Sequence, residues 1–235
     1  MRQDQNPLSD CHNPLLEWTR TDAGEVPVSM QFGDPYFSLQ GGLAETTHVF
    51  LHGNGLPGRF RPGFQIAELG FGTGLNLLAS WALWEESGQT GPLLYTSFEA
   101  FPMSAAQTGQ ALAGFPTLAA RTRPFLTALD QGALGFTLGS VQVQIIAGDA
   151  RQTLPHWLGK ADAWFLDGFS PARNPELWSE ALLQQVARHT AAAGSFATYS
   201  AAGHIRRSLQ AAGFAVERSP GYGRKRHMSS GRLVA

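Results

Sequence analysis

Cysteine is nearly absent from this chain: Cys11 is the only one in 235 residues. A single thiol excludes an intrachain disulfide and any cysteine-cluster metal site, and it is compatible with a reducing cytoplasm, the expected compartment. Long apolar runs are missing as well. No stretch approaches the ~20 apolar residues that span a bilayer. The N-terminus, MRQDQNPLSDCHNPLLEW, has no apolar signal core. Charge is sparse, at 15% of residues, and nearly balanced at a net −1, so the total says nothing about a polyanionic partner. There is no internal repeat and no long low-complexity tract. What is there is a 43% apolar share, in a length that suits one large α/β domain with additions.

The most informative stretch runs from Phe64 to Trp84, FQIAELGFGTGLNLLASWALW. A short apolar run, Phe64 to Ala67, ends at Glu68. Gly70, Gly72 and Gly74 make a tight turn. Leu75, Leu78, Ala79, Ala82 and Leu83 then recur at helical spacing, so the stretch reads as strand, turn and helix. In α/β folds ligands bind at the carboxyl end of such a strand. There, glycines allow close backbone approach and the helix N-terminus offers unpaired N–H groups. A dinucleotide loop would read G-x-G-x-x-G, but here the sixth place is Leu75. Glu68 before the turn would repel a pyrophosphate and hold a ligand with a positive amino group. S-adenosylmethionine, with ammonium, sulfonium, ribose and adenine but no phosphate, is such a ligand. An ordinary βα turn is the plainer alternative, so the partners of the turn decide.

Three more apolar strands deliver an acid. Leu93 to Phe98 ends at Glu99, about 25 residues past the turn, where a carboxylate accepts both protons of a ribose diol. Val141 to Ile146, paired with Phe136 to Leu138 through Gly139-Ser140, leads to Gly148-Asp149-Ala150. Asp149 can accept from an adenine amino group, can cap the helix from Ala150 to Trp157, or can do both. Ala161 to Leu166 delivers Asp167 in Asp167-Gly168-Phe169-Ser170-Pro171. Four acids, Glu68, Glu99, Asp149 and Asp167, then share one edge of the sheet. Clustered carboxylates repel one another unless something positive sits among them.

Residues 1–63 read as an N-terminal extension. Val26, Val28, Met30 and Phe32 alternate as a half-buried strand, Gly33-Asp34-Pro35 marks a turn, and Tyr36 to Leu39 is the expected returning strand. LAETTHVFLHGN is a short helix. Beyond residue 63, Met103 to Leu129 reads as helix broken at Gly114-Phe115-Pro116, Leu177 to His189 as helix, and Gly194 to Tyr199 as the fifth strand. A helix ending at Gly213 precedes an expected antiparallel hairpin at the sheet edge, formed by Phe214 to Arg218 and Met228 to Val234. From Ser200 to Ala235 seven basic residues face one acid, Glu217, in a chain whose total is −1. That asymmetry suggests a phosphate-rich partner, against the commoner meaning of a solvated basic face.

The blocks AELGFGTGLN, SFEAFP, DAWFLDGFSPARNPELW and GYGRKRHM, with DPYFS and GLAETTHVFL before them, resemble a known family. It is the methyltransferase half of the bacterial tRNA 5-methylaminomethyl-2-thiouridine biosynthesis protein MnmC, also found alone and then called MnmD. The likeness runs from about Glu17 to Arg232. It implies a Rossmann-like methyltransferase fold over residues 64–235 and a small β-rich extension over 1–63 that contributes to the substrate pocket. It also implies S-adenosylmethionine as cofactor and methyl transfer to the amine of 5-aminomethyl-(2-thio)uridine at wobble position 34 of tRNA, bound at the anticodon loop. With the chain stopping at Ala235 and no second nucleotide fingerprint, no FAD-dependent oxidase activity is expected, so separate enzymes must supply the aminomethyl intermediate. The implied cofactor residues are Glu68, Gly70, Phe71, Gly72, Gly74, Asn76, Glu99, Asp149, Ala150 and Asp167, with Asp167 also catalytic. The implied substrate and tRNA residues are Tyr36, Glu45, Phe169, Pro171, Arg173, Arg224, Lys225 and Arg226. No metal is expected. The competing readings are methylation of a small-molecule amine and a non-catalytic RNA-binding module.

Overall fold

Two sheets organise the chain in the computed structural model, which describes residues 13–22 and 24–234. Cys11 lies outside the described residues. The first sheet is antiparallel: β1 (Leu16–Thr21), β2 (Gly24–Ser29) and the two-residue β3 (Asp34–Pro35). The expected alternation through Phe32 stops at Ser29, and Met30 is exposed. Gly33 takes a positive φ at the reversal. The returning strand is Asp34–Pro35 and not Tyr36 to Leu39. Only Tyr36 continues the pairing, donating its N–H to Pro27. Helix α1 (Gly42–Thr46) follows, widens into a π turn over Thr47–Leu51 and tightens into a 3-10 turn over His52–Asn54, one continuous helical segment.

The second sheet has eight strands. They are β4 (Gln65–Leu69), β5 (Leu93–Glu99), β6 (Gly135–Leu138), β7 (Val141–Ala147), β8 (Ala161–Leu166), β9 (Thr190–Thr198), β10 (Phe214–Pro220) and β11 (His227–Leu233), in the order β10-β11-β9-β8-β4-β5-β7-β6. Strands β9, β8, β4, β5 and β7 are parallel; β6 and the β10–β11 hairpin are antiparallel additions at the two ends. The chain runs outward from β4 through β5 to β7, then returns to β8 on the other side of β4. Such a reversal opens a crevice beyond the strands' carboxyl ends.

Helices cover both faces, which is why the parallel strands read as continuous apolar runs. Successive strand residues point to opposite faces. Ile66, Ala163, Phe165 and Ala197 pack with α2 (Leu75–Glu86) and α4 (Ala119–Asp130). Ala67, Leu69, Trp164, Leu166 and Phe196 pack with α6 (Glu180–Arg188) and α7 (Gly203–Ala211). Val49, Phe50 and Leu51 join the first of these cores. Two shorter helices complete the set: α3 (Ala105–Leu112), opened by a Ser104–Gln107 capping box, and α5 (Ala150–Thr153), capped by Asp149. Helix α5 is shorter than expected because Leu154–His156 tightens around Pro155, whose ring lacks an N–H. Helix α6 begins at Glu180 and not at Leu177, since Pro175–Trp178 forms a separate turn. Among the described residues no helix is long and apolar enough to cross a membrane.

Candidate active site

The carboxyl ends of β4, β5, β7 and β8 converge on a cavity of about 1040 Å³. Gly70, with φ of 85°, turns the chain away from β4. A Cβ there would sit 2.9 Å from the Asp167 carbonyl oxygen and 3.1 Å from Gly168 Cα, so the turn after β4 runs against the turn after β8. The two strand ends are tied as well: Asp167 N–H donates to Leu69 O, and Gly70 N–H to Phe98 O. Glu99 locks the turn from the other side, its Oε2 accepting from Gly72 N–H at 2.9 Å and its Oε1 from Phe101 N–H at 2.7 Å. Burial pushes this carboxyl above the usual range, against those backbone N–H groups. Each of its oxygens keeps a second acceptor site, which suits a diol.

The first turn of α2 supplies the central clamp. Asn76 Nδ2 donates to Glu68 Oε1 at 2.8 Å and to Asp167 Oδ2 at 2.9 Å, while its Oδ1 accepts from Thr46 Oγ1 at 2.8 Å. Ser97 donates to Glu68 Oε2 at 2.7 Å. This corrects the expectation for Glu68. It lies within β4, is fully buried, and does not line the cavity; it meets the site only through Asn76. Burial pushes Glu68 up to about 8. Asp167, partly exposed to the cavity, is pushed up to about 7 by burial, opposed by N–H donation from Gly168 and Asn76.

The other expected residues divide. Gly70, Phe71, Gly72, Asn76, Glu99, Asp149, Ala150 and Asp167 line the cavity; Gly74 does not, its backbone facing the Phe125 ring. Asp149 caps α5 through Arg151 N–H and also holds the Arg151 side chain at 2.5 Å. That hydrogen bond keeps its carboxyl below the ordinary value. Tyr36, Glu45, Phe169, Arg173, Arg224 and Lys225 line the same cavity, whereas Pro171 and Arg226 do not. Tyr36 stands edge-on to Phe169 at 4.9 Å, and burial, with the charge of Glu99, raises its hydroxyl. Arg173 donates to Phe32 O at 3.0 Å. Lys225 is not free for phosphate: its Nζ lies 2.8 Å from Glu45 Oε1.

Some residues the sequence reading missed also shape the cavity. Phe32 stacks on Phe169 at 4.6 Å, and Asp34 Oδ2 accepts from Ser170 N–H at 2.7 Å, fastening the small sheet to the Asp167 loop. Tyr199 donates its hydroxyl to Gly168 O at 2.6 Å. Tyr199 follows β9 directly, so the rule that picked out the acids, reading the residue after each parallel strand, would have found it. Phe32 and Thr46 carry no comparable local signal. Among the described residues no group of three His, Cys, Asp or Glu could hold a metal ion.

Residues 118–233 match the model of a family described as S-adenosyl-L-methionine-dependent methyltransferase. The chain is 44% identical over 235 residues to the tRNA 5-methylaminomethyl-2-thiouridine biosynthesis bifunctional protein MnmC of Pseudomonas paraeruginosa, covering 95% of this chain and 36% of that protein. It is also 44% identical over 216 residues to the protein of the same name from Chromobacterium violaceum, covering 87% and 33%. The chain thus spans about a third of the length of the curated relatives it matches. The solved structure of MNMC2 from Aquifex aeolicus superposes with a TM-score of 0.78 at 26% identity, over 95% of this chain and 71% of that one.

Proposed function

We propose that this chain, which belongs to the S-adenosyl-L-methionine-dependent methyltransferases, methylates the primary amine of 5-aminomethyl-(2-thio)uridine at wobble position 34 of tRNA. The observation that carries this reading is the placement of Asp167. It sits beside the glycine turn, faces the same cavity as an aromatic wall, and is poised near neutrality. The names of the relatives supply the substrate class.

The residues present fit the cofactor. Glu99 would take the ribose diol on its remaining acceptor sites, Asp149 and Ala150 would hold the adenine, and Gly70 to Gly72 would offer backbone to the methionine moiety. S-adenosylmethionine held there would supply an electrophilic methyl carbon on a sulfonium, for which a neutral amine is the nucleophile and the thioether the leaving group. The chain's own work is to make the amine neutral and to aim it. Asp167 takes one proton from the incoming ammonium on a remaining lone pair, while Asn76 on Oδ2 and Gly168 N–H on Oδ1 hold the carboxylate in place. A placed carboxylate contributes ~100- to 10,000-fold in such a step, and orientation adds several kcal/mol. Phe169, stacked on Phe32 and edged by Tyr36, forms the wall for the uracil ring. Residues 1–63 act as an extension that completes this pocket, and 64–235 as the methyltransferase domain. Arg173, Arg224 and Arg226 contact phosphates of the anticodon loop, which positions the RNA without reading it. A tRNA substrate puts the reaction in the cytoplasm, with other enzymes supplying the aminomethyl group.

The test is incubation with methyl-labelled S-adenosylmethionine and tRNA that carries the aminomethyl group, followed by nucleoside analysis. Label in 5-methylaminomethyl-(2-thio)uridine is the expected result; cofactor binding with no label in RNA would overturn the substrate. Asp167→Asn should lower the single-turnover rate at least 100-fold with cofactor affinity changed far less. An equal loss of both would remove Asp167 from the chemistry.

A further inference from the structure

Of the three adjacent basic residues Arg224, Lys225 and Arg226, Lys225 is the one paired with an acid of the cavity. Its Nζ lies 2.8 Å from Glu45 Oε1 and 3.9 Å from the centre of the Tyr199 ring. Glu45 is only 8% exposed, on the short helix α1. The Tyr199 ring is held against the Asp167–Gly168 turn by its hydroxyl bond to Gly168 O. Glu45, Tyr199, Lys225 and Asp167 therefore share one end of one cavity. A carboxylate beside an aromatic face is a receptor for an ammonium ion. The ion found there is a compact primary ammonium on a methylene, the same group that the proposed substrate carries.

We propose that Glu45 and the face of Tyr199 form the subsite for the substrate's primary ammonium, that Lys225 occupies this subsite in the free protein, and that the substrate displaces it. The inference rests on the reading of the substrate as an alkylamine. Exchange of one cation for another explains how the subsite stays paired. An almost buried Glu45 left without a partner would carry the cost of an uncompensated charge. Lys225 keeps it paired until the amine arrives. Lys225 lies in the segment Gly221 to Arg226 that joins β10 to β11, between two exposed arginines. The arrangement also selects: a neutral hydroxyl or unsubstituted uridine does not replace a cation on Glu45, so Lys225 stays and the subsite remains closed to it.

The experiment compares wild type with Lys225→Met, which keeps the stem and removes the charge. Two acceptors are used: the free nucleoside 5-aminomethyluridine, which has no phosphates, and tRNA bearing the same base. Displacement predicts that KM for the nucleoside falls at least threefold while kcat is unchanged, because the competing cation is gone. Unchanged nucleoside kinetics with a raised KM for tRNA would make Lys225 a phosphate contact only and overturn the proposal. A fall in kcat on both acceptors would overturn it too. Tyr199→Leu should raise the nucleoside KM about tenfold, and Tyr199→Phe should keep most of the affinity; equal losses would exclude the ring face. Titration with S-adenosylhomocysteine shows whether each variant retains its cofactor site. If wild type methylates neither acceptor, the proposed reaction fails and the subsite is read by binding. Titration of S-adenosylhomocysteine-loaded protein with 5-aminomethyluridine should then be tighter for Lys225→Met than for wild type, and equal or absent binding in both would overturn the subsite.

Discussion

Asn76 makes the site a unit, because its amide engages three neighbours. One N–H₂ bridges two acids and the oxygen accepts from Thr46. Asn76→Ala would leave both carboxylates and the Thr46 hydroxyl short of a partner. A buried polar group left unsatisfied costs ~1–3 kcal/mol, so denaturant unfolding should show a loss of about that size. The kcat/KM profile should also move to higher pH as Asp167 loses a donor that lowers its pKa. The same pair sets a pH dependence of stability. Glu68 and Asp167 are held at about 8 and about 7, above the usual carboxyl range, mainly by burial. The folded chain therefore keeps protons that the unfolded chain gives up. Their contribution is full below about pH 4 and is lost as pH rises through 7 and 8. Stability should fall between about pH 4 and pH 8, and Glu68→Gln should flatten that fall. A Glu68→Gln curve parallel to wild type would show that this carboxyl is ionised throughout.

At the scale of elements, β4, the glycine turn and α2 govern how closely the strand ends approach. Gly70 and Gly63 both take a positive φ, 85° and 74°, but a Cβ at Gly63 meets nothing within 4 Å, whereas at Gly70 it meets Asp167 backbone. An L-residue in the left-handed region costs ~1–2 kcal/mol. Gly63→Ala should lose about that much and keep cofactor affinity. Gly70→Ala should lose more and bind S-adenosylmethionine at least tenfold more weakly, since the clash is with backbone that cannot swing aside. Equal losses of stability and affinity would mean that the two turns are not in contact. This stretch was legible because periodicity and glycine spacing are local properties. The parallel strands and the acids or turns that follow them were legible for the same reason. What was not legible came from contacts distant in sequence. Glu68 belongs to the strand because Asn76 and Ser97 satisfy it there. The small sheet's return at Asp34 depends on pairing with Val28 and Ser29, and Asp34's bond to Ser170 spans 136 positions.

Across the whole molecule, the net charge of −1 conceals a division. Acids line the cavity floor, and basic residues lie at its mouth, where Arg173 and Arg224 border the opening and Arg226 is exposed beside them. The sequence showed the basic end but not that Lys225 points into the cavity, because four residue spacings along a hairpin loop do not fix which side chain turns inward. On the proposed reading, that leaves three arginines as phosphate contacts. Affinity for nucleic acid falls with a log–log slope of about −0.7 to −0.9 per neutralised phosphate. Three contacts then predict a loss of about 20- to 40-fold in tRNA affinity for a fourfold increase in salt. Cofactor affinity should barely move over the same range, since that ligand releases no counterions from a polyanion. Replacing Arg224 and Arg226 by Ala should lower the slope by about 1 each, so the same salt step would cost only about threefold. Arg173, already bonded to Phe32 O, should change the slope least of the three. A slope that stays steep in the double variant would place the RNA on another face. One that is flat in wild type would mean that the cavity, and not the basic rim, supplies the affinity.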